Sequence, residues 1–484
     1  MACSIACSSE HALPASAPGT AVLQHHAAPA RNGVFIDAGL TRQAAAQYHP
    51  SPAFDVQLPG STFYAQPLYL PDGPNGRDLI IMASEQNEVF AVDASTGDVV
   101  WRRLLGAAVP LSALPCGNID PLGITGTPVI DPASRTLFVD AMTTPDGSTK
   151  KHLAFALSTA DGSIRPGWPV DLSMKVHFDN LAFDSSVQNQ RGALAFLDGT
   201  VYIPFGGLFG DCGTYHGWLV AIPASNPAAP RAWATAARGG GSWAPSGVAS
   251  DGASLFIATG NTFEATTWGG GEAILRFSPD LAQTDFFAPA DWQALDSQDA
   301  DLGGTGPVLV DLPGANPSAL AIALGKNGKV YLLDRSHLGG IGGELFSATV
   351  SRSEIINAAA AYPADSGAYV VFRGSGTNCP SGAGTGLVAL RIVPGSSPTA
   401  TTAWCAIQNG KGSPMVTTTD GHSESVVWSI GAEGDERLRA YNGDTGNVLF
   451  TSAPLGRVRS YQTPILAGDR VFIATDGALL AFSR

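Results

Sequence analysis

The feature that most limits how this chain can fold is a short pattern that returns along its length. It is clearest at Val89-Phe-Ala-Val-Asp-Ala-Ser-Thr-Gly-Asp-Val-Val-Trp101. Alternating apolar residues there make a half-buried strand. Asp93 to Gly97 make a tight polar turn in which Gly supplies positive φ, and Val99 to Trp101 begin the returning outer strand. Arg439-Ala-Tyr-Asn-Gly-Asp-Thr-Gly-Asn-Val-Leu-Phe450 repeats the pattern, with Phe450 in place of the tryptophan. Weaker copies lie at Ala154 to Gly162 with Trp168, Trp218 to Ala224 with Trp233, Val330 to Gly339, and Leu387 to Val393 with Trp404. A repeated hairpin cannot bury its apolar face alone, so the copies must pack on one another.

Counting the third-strand signals gives positions near Ala91, Ala156, Ala221, Leu275, Leu332, Ala389, Ala440 and Ala481. The spacing is that of four-stranded propeller blades with rim insertions. Each blade opens with an apolar strand beside the axis, such as Gly126 to Asp131, Gly306 to Asp311 or Ser413 to Thr418. Thr463 to Leu466, Arg470 to Thr475 and Ala478 to Phe482 form three strands of a sheet that lacks its fourth, and Phe54 to Leu58 is a strand without a neighbour before it. Joining the two closes the ring and leaves no open edge. The expected fold is therefore all-β, an eight-bladed β-propeller of four-stranded antiparallel blades closed by an N-terminal strand. Helix is expected only in short pieces, at Thr41 to Tyr48, Trp292 to Leu295 and Glu354 to Ala361. Residues 1–30 read as a disordered tail or processed leader, and 31–484 as one propeller domain.

The formal charge of −14 with no basic stripe argues against nucleic acid and anionic membranes as partners. No apolar run approaches the roughly 20 residues of a membrane helix. Cys379 and Cys405 lie in one repeat, while Cys116 and Cys212 follow successive repeats in loops that can share a rim. Two disulfides and an oxidising compartment are expected, with connectivity left open. Small residues before Cys7 and a Ser-rich stretch after it resemble a bacterial lipoprotein junction, so Cys7 is a candidate lipid anchor; a plain tail is the other reading.

The Ala-x-Asp-x-x-Thr-Gly-x-x-x-Trp signature at Ala91 to Trp101 resembles the repeat of the pyrroloquinoline quinone (PQQ) dehydrogenase propellers. The same repeat also builds an outer-membrane assembly lipoprotein without cofactor or chemistry, so it speaks for fold more than function. Further stretches extend the resemblance. Gly239-Gly-Gly-Ser-Trp243, followed by Leu255-Phe-Ile-Ala-Thr-Gly-Asn261, is similar to the blade where these enzymes place a cofactor-stacking Trp and a calcium-binding Asn. Gly325-Lys-Asn-Gly-Lys-Val-Tyr resembles the next blade, with Lys326 where a Lys or Arg lies beside the quinone oxygens. Asp296 to Gly304 holds the acidic cluster where the family keeps its catalytic Asp; Asp301 is the better match, with Asp299 close behind.

The resemblance implies a periplasmic or extracellular PQQ- and calcium-dependent dehydrogenase of an alcohol or sugar. Trp243 would be the platform, Asp301 or Asp299 the base, and Lys326 the electrophilic partner, with Asn261, Asp301 and Asp211 on the metal. Gln190 and Arg191, in Gln188-Asn-Gln-Arg191 at the channel end of the third blade, are candidate contacts to an acidic cofactor. The chain departs from the family in having no adjacent cysteines, and in placing Cys212 where the calcium-binding Glu is expected, beside Asp211. It also has no Cys-x-x-Cys-His, so electrons would pass to a separate acceptor. The competing expectation is a non-catalytic scaffold binding a protein or envelope polymer. In that case Trp243 is covered, and Asp301 and Lys326 point apart.

Overall fold

In the computed structural model, which describes residues 21–52 and 54–484, eight antiparallel sheets surround one axis. Blade 1 comprises Leu68–Leu70, Leu79–Ala83, Glu88–Asp93 and Val99–Leu104. The third strands of all eight blades fall on the eight positions counted in the sequence. Blade 8 is completed as expected: Val56 pairs with Leu479 and Gln57 with Ala478, and His49–Pro50 extends the same edge.

The repeat has a packing reason. Asp93 Oδ1 accepts hydrogen bonds from the backbone N–H groups of Ser95 and Thr96, and Asn442 does the same for Asp444 and Thr445, so each turn is fixed by its own side chain. The tryptophan of one blade then lies on the turn of the next. Trp101 Nε1 donates to Thr159 O at 3.0 Å, and Trp404 Nε1 donates to Gly443 O at 2.7 Å. A Cβ on Gly162 or Gly446 would meet those indoles at 2.7 or 2.6 Å, and both glycines have positive φ. Any other residue at either site is excluded by both contact and backbone. Apolar clusters accordingly lie between neighbouring blades, for example blades 2 and 3 around Phe138, Ile203 and Trp218.

Two features depart from the sequence reading. Residues 354–359 are not helical, and Ala360–Ala364 is the inner strand of blade 6. Ala358, Ala359 and Ala360 are fully buried, so their small side chains serve close approach at the axis rather than helix propensity. Residues 21–30, assigned by sequence to the tail, lie along the axis; residues 1–20, with Cys7, fall outside the described residues.

This N-terminal strap bonds to every blade. Val22 exchanges backbone hydrogen bonds with Tyr69 of blade 1, and Leu23 O accepts from Ile130 of blade 2. Arg31, fully buried, donates to Leu194 O of blade 3 and Val248 O of blade 4. Pro29, Ala30, Asn32 and Gly33 accept from Ser250, Leu309, Ala361 and Val416 of blades 4 to 7. Val34–Ile36 then runs parallel to the inner strand of blade 7. His25 meets Thr463 of blade 8 at 3.4 Å.

His25 and His26 stack at 4.3 Å, both almost wholly buried beside Arg31. Burial, followed for His25 by His26 and Arg31, holds His25 well below the usual histidine value, and burial brings His26 down to about 4. Both are therefore neutral in the folded chain. The unfolded chain binds a proton near pH 6.5, so it holds more protons between pH 6.5 and 4, and stability falls as pH drops through that window. For His26 the loss is up to about 1.4 kcal/mol per pH unit. His26→Asn, which tolerates the positive φ at this position, is expected to flatten the decline in melting temperature between pH 6.5 and 4.5. An unchanged slope would contradict a neutral buried imidazole.

Candidate functional site

In a four-stranded antiparallel blade, the loop between strands two and three and the connection to the next blade emerge on the same face of the disc. That geometry collects the chemistry-bearing residues. Trp243 lies on the connection from blade 3 to blade 4, Asn261 and Glu272 in the second loop of blade 4, Asp299 and Asp301 on the connection to blade 5, and Lys326 in the second loop of blade 5.

Lys326 Nζ is 2.6 Å from Asp301 Oδ2, 2.8 Å from Asp299 Oδ1 and 5.5 Å from the centre of the Trp243 ring. Asn261 N–H donates to Asp301 Oδ1 at 2.7 Å, and Lys326 N–H donates to Asp301 O at 2.8 Å. Gly260 makes the approach possible: a Cβ there would sit 2.6 Å from Asp301 Oδ1 and 3.1 Å from Trp243 Nε1. The glycine run before Trp243 serves a similar end, since a Cβ on Gly241 would meet Gly206 Cα at 3.0 Å. Indole, acid and amine, from three separate stretches, therefore meet at one place.

Burial opposes the charge on Lys326, but Asp301 and Asp299 outweigh it and raise its pKa above the usual lysine value. Burial raises the Asp301 carboxyl, with Lys326 and the Asn261 N–H pulling the other way. Behind Asp301 lies Glu272, which sequence reasoning did not single out. It is fully buried, accepts from Leu302 N–H at 2.6 Å, and is pushed by burial and then by Asp301 to about 9. It is thus a neutral acid at pH 7. Its only sequence signal is a charge set between Gly269-Gly-Gly271 and the apolar strand Ala273–Phe277.

Trp243 borders a cavity of about 720 Å³ at the mouth of the channel. Arg191, Lys411, Arg457 and Arg459 line it, against Glu354 and Glu433, and His25 of the strap also lines it. Arg459 is tied to Asp476 at 2.9 and 2.6 Å, and Lys411 lies 3.7 Å from Glu433. Gln190 is placed differently from its neighbour Arg191: it is buried, its Nε2 donates to Gly192 O, and it fills the space above Gly126. His216 Nδ1 donates to Thr235 O at 2.8 Å, an ordinary structural contact.

The calcium donor set expected from the sequence does not assemble. Cys212 is bonded to Cys116, Asp211 accepts from Tyr215 Oη at 2.6 Å, and both Asp301 oxygens are engaged. Among the described residues no three His, Cys, Asp or Glu side chains converge to hold a metal ion. The donors present do not fit a calcium ion, and the positive charge beside the carboxylates is the Lys326 ammonium. The cavity does fit a flat polyanion such as PQQ, with an indole on its wall and an excess of cationic side chains. The second disulfide joins Cys379 to Cys405, and among the described residues no helix is long and apolar enough to cross a membrane.

No protein-family model matches the sequence, and no curated protein matches it. Among solved structures, a quinohemoprotein alcohol dehydrogenase from Pseudomonas putida is similar over 96% of this chain and 80% of its own, with 14% identity and a TM-score of 0.69. A europium-containing methanol dehydrogenase is similar over 96% of this chain and 98% of its own, with 14% identity and a TM-score of 0.66. BamB from Moraxella catarrhalis is similar over 90% and 98%, with 14% identity and a TM-score of 0.52.

Lys326→Met leaves the buried Asp301 without its counter-charge and is expected to cost about 3 kcal/mol. Adding Asp301→Asn should recover most of that loss in denaturant unfolding. Strictly additive losses would show that the two groups are not coupled.

Proposed function

Taking as premise the eight-bladed fold shared with the quinoprotein alcohol dehydrogenases, we propose that this protein oxidises an alcohol or sugar with PQQ held in the channel mouth. The observation that carries the reading is the meeting of Trp243, Asp301 and Lys326, with Trp243 also on the wall of the cavity. PQQ, when bound, supplies the two-electron acceptor.

Trp243 offers an aromatic face, worth about 0.5 to 1.5 kcal/mol beyond simple burial. Asp301, raised by burial, would be a stronger base than an exposed carboxylate, and would take the proton of a substrate hydroxyl by exchanging its contact with Lys326 or Asn261 for one with substrate. Lys326, beside the Trp243 ring, would stabilise negative charge on a bound quinone. Glu272 lies behind Asp301 without adding a second negative charge at pH 7. Asp299, two-thirds exposed, holds Lys326 from the solvent side. Electrons would leave to a separate acceptor. No step is assigned to calcium, since the donors do not fit it. The two disulfides agree with a periplasmic or extracellular setting. A scaffold would be expected to cover Trp243 and to part Asp301 from Lys326, so the catalytic reading is the better supported.

Purified protein supplied with PQQ is expected to reduce an artificial dye in the presence of an alcohol or sugar. Asp301→Asn should lower that rate by about 100-fold or more. No reduction across a broad panel of alcohols and sugars would overturn the proposal.

A further inference from the structure

One ionisable pair takes no part in lining the cavity and lies instead in the packing between blades 2 and 3. Asp140 and His152, on the second and third strands of blade 2, are each 1% exposed. His152 Nδ1 lies 2.6 Å from Asp140 Oδ2, and its Nε2 lies 3.1 Å from Gln188 O, on the inner strand Gln188–Asn189 of blade 3. Phe183 and Phe205 meet the imidazole edge to face at 6.0 and 5.1 Å, and Trp218 packs on Phe183. Ser185 Oγ accepts from the His152 N–H and pairs with Ser173 Oγ. None of these neighbours carries charge, so among the described residues each member of the pair is the other's only ionic partner.

Hydrogen bonding fixes how many protons the pair carries. A carbonyl oxygen only accepts, so Nε2 bears a proton. Nδ1 and Oδ2 at 2.6 Å need a second proton between them, whichever atom owns it. The pair is therefore neutral as a whole, in surroundings where a lone carboxylate would be costly. Burial raises the Asp140 carboxyl and His152 draws it back.

The imidazole reaches the site through one strand. Gln188 pairs with Gly207 and Asn189 with Gly206, and a Cβ on Gly206 would lie 3.2 Å from Trp243 Cβ. The segment against which Trp243 packs is thus paired to a strand that His152 holds by its carbonyl. We propose that Asp140 and His152 act as one positioning unit, joined by a proton shared between Nδ1 and Oδ2, that fixes the inner strand of blade 3 and with it the wall bearing Trp243. This role is the same whichever ligand the cavity holds. Above about pH 6.5 the unfolded chain keeps Asp140 ionised and His152 neutral, one proton fewer than the folded pair. Folding there takes up a proton, so the pair's contribution is complete between about pH 4 and 6.5 and declines as pH rises, by about tenfold in the folding equilibrium constant per pH unit. The sign is opposite to that of His25 and His26, whose contribution is lost on acidification.

Urea unfolding of the full chain between about pH 5 and 9, wild type against Asp140→Asn, tests the proton. An amide keeps the hydrogen bond to Nδ1 without a shared proton. The wild-type folding constant is therefore expected to fall about tenfold more per pH unit above pH 7.5 than the variant's, and the variant's optimum to move to higher pH. Curves that run parallel would overturn the shared proton. Amide hydrogen exchange followed by mass spectrometry tests the positioning. His152→Phe, made together with Asp140→Asn so that no charge is buried alone, removes the bond to Gln188 O and is expected to raise exchange severalfold in residues 186–192 and 204–208 while leaving blade 6 unchanged. Asp140→Asn alone, which retains the imidazole, should raise it far less. Exchange unchanged in those residues, or raised equally in all blades, would overturn the positioning role.

Discussion

Each inner strand of a propeller is paired on one side only, and its other edge faces the axis with unmet backbone groups. Residues 22–36 answer that demand from inside, bonding through backbone or side chain to every blade in turn. Ala27, Ala28, Pro29, Ala30 and Gly33 are small enough for the narrow space at the axis. The strap also decides what kind of opening the channel is. With its lower part filled, the channel becomes a pocket with a floor, and the floor carries a histidine.

The opposite face of the disc is free to carry loops, and antiparallel order dictates which loops those are. Every residue of the cluster lies in a second loop or in a connection between blades, so residues more than 80 positions apart in sequence, Trp243 and Lys326, come within reach. The Asp-x-x-Thr-Gly turns lie on the other face, where they lock blade to blade. Scaffold and site are thus segregated by topology. Changes in the loops need not disturb the tryptophan docking that holds the ring.

Much of this was legible in the sequence because it rests on local, repeated signals. The eight third strands and the closing strand follow from period and spacing, and two disulfides were expected, though their pairing comes from the structure. The convergence of Trp243, Asp301 and Lys326 was expected from resemblance to a family, and the geometry agrees with the meeting. The strap was illegible, since a run of Ala, Pro and Gly looks the same in water as in a narrow channel. Its order comes largely from backbone hydrogen bonds, which leave no side-chain pattern, and from the lone side chains of Arg31 and His25. Glu272 was hidden for a similar reason: one acid among glycines gives no period. Residues 354–359 misled by their helix-forming composition, because burial at the axis selects small side chains for their size. The calcium donors expected at Asp211, Asn261 and Asp301 do not converge, because Tyr215 engages Asp211 while Lys326 and the Asn261 N–H engage Asp301.

The central proposal is spatial: Trp243 would hold a flat, anionic quinone, with Lys326 and Asp301 close by. A crystal structure of the protein soaked with PQQ tests it most directly. The account predicts planar density against the Trp243 ring, a ring oxygen within hydrogen-bond distance of Lys326 Nζ, and a ligand carboxylate near Arg191. Clear density for the channel mouth with no bound ring, or a ring bound away from Trp243, would contradict it.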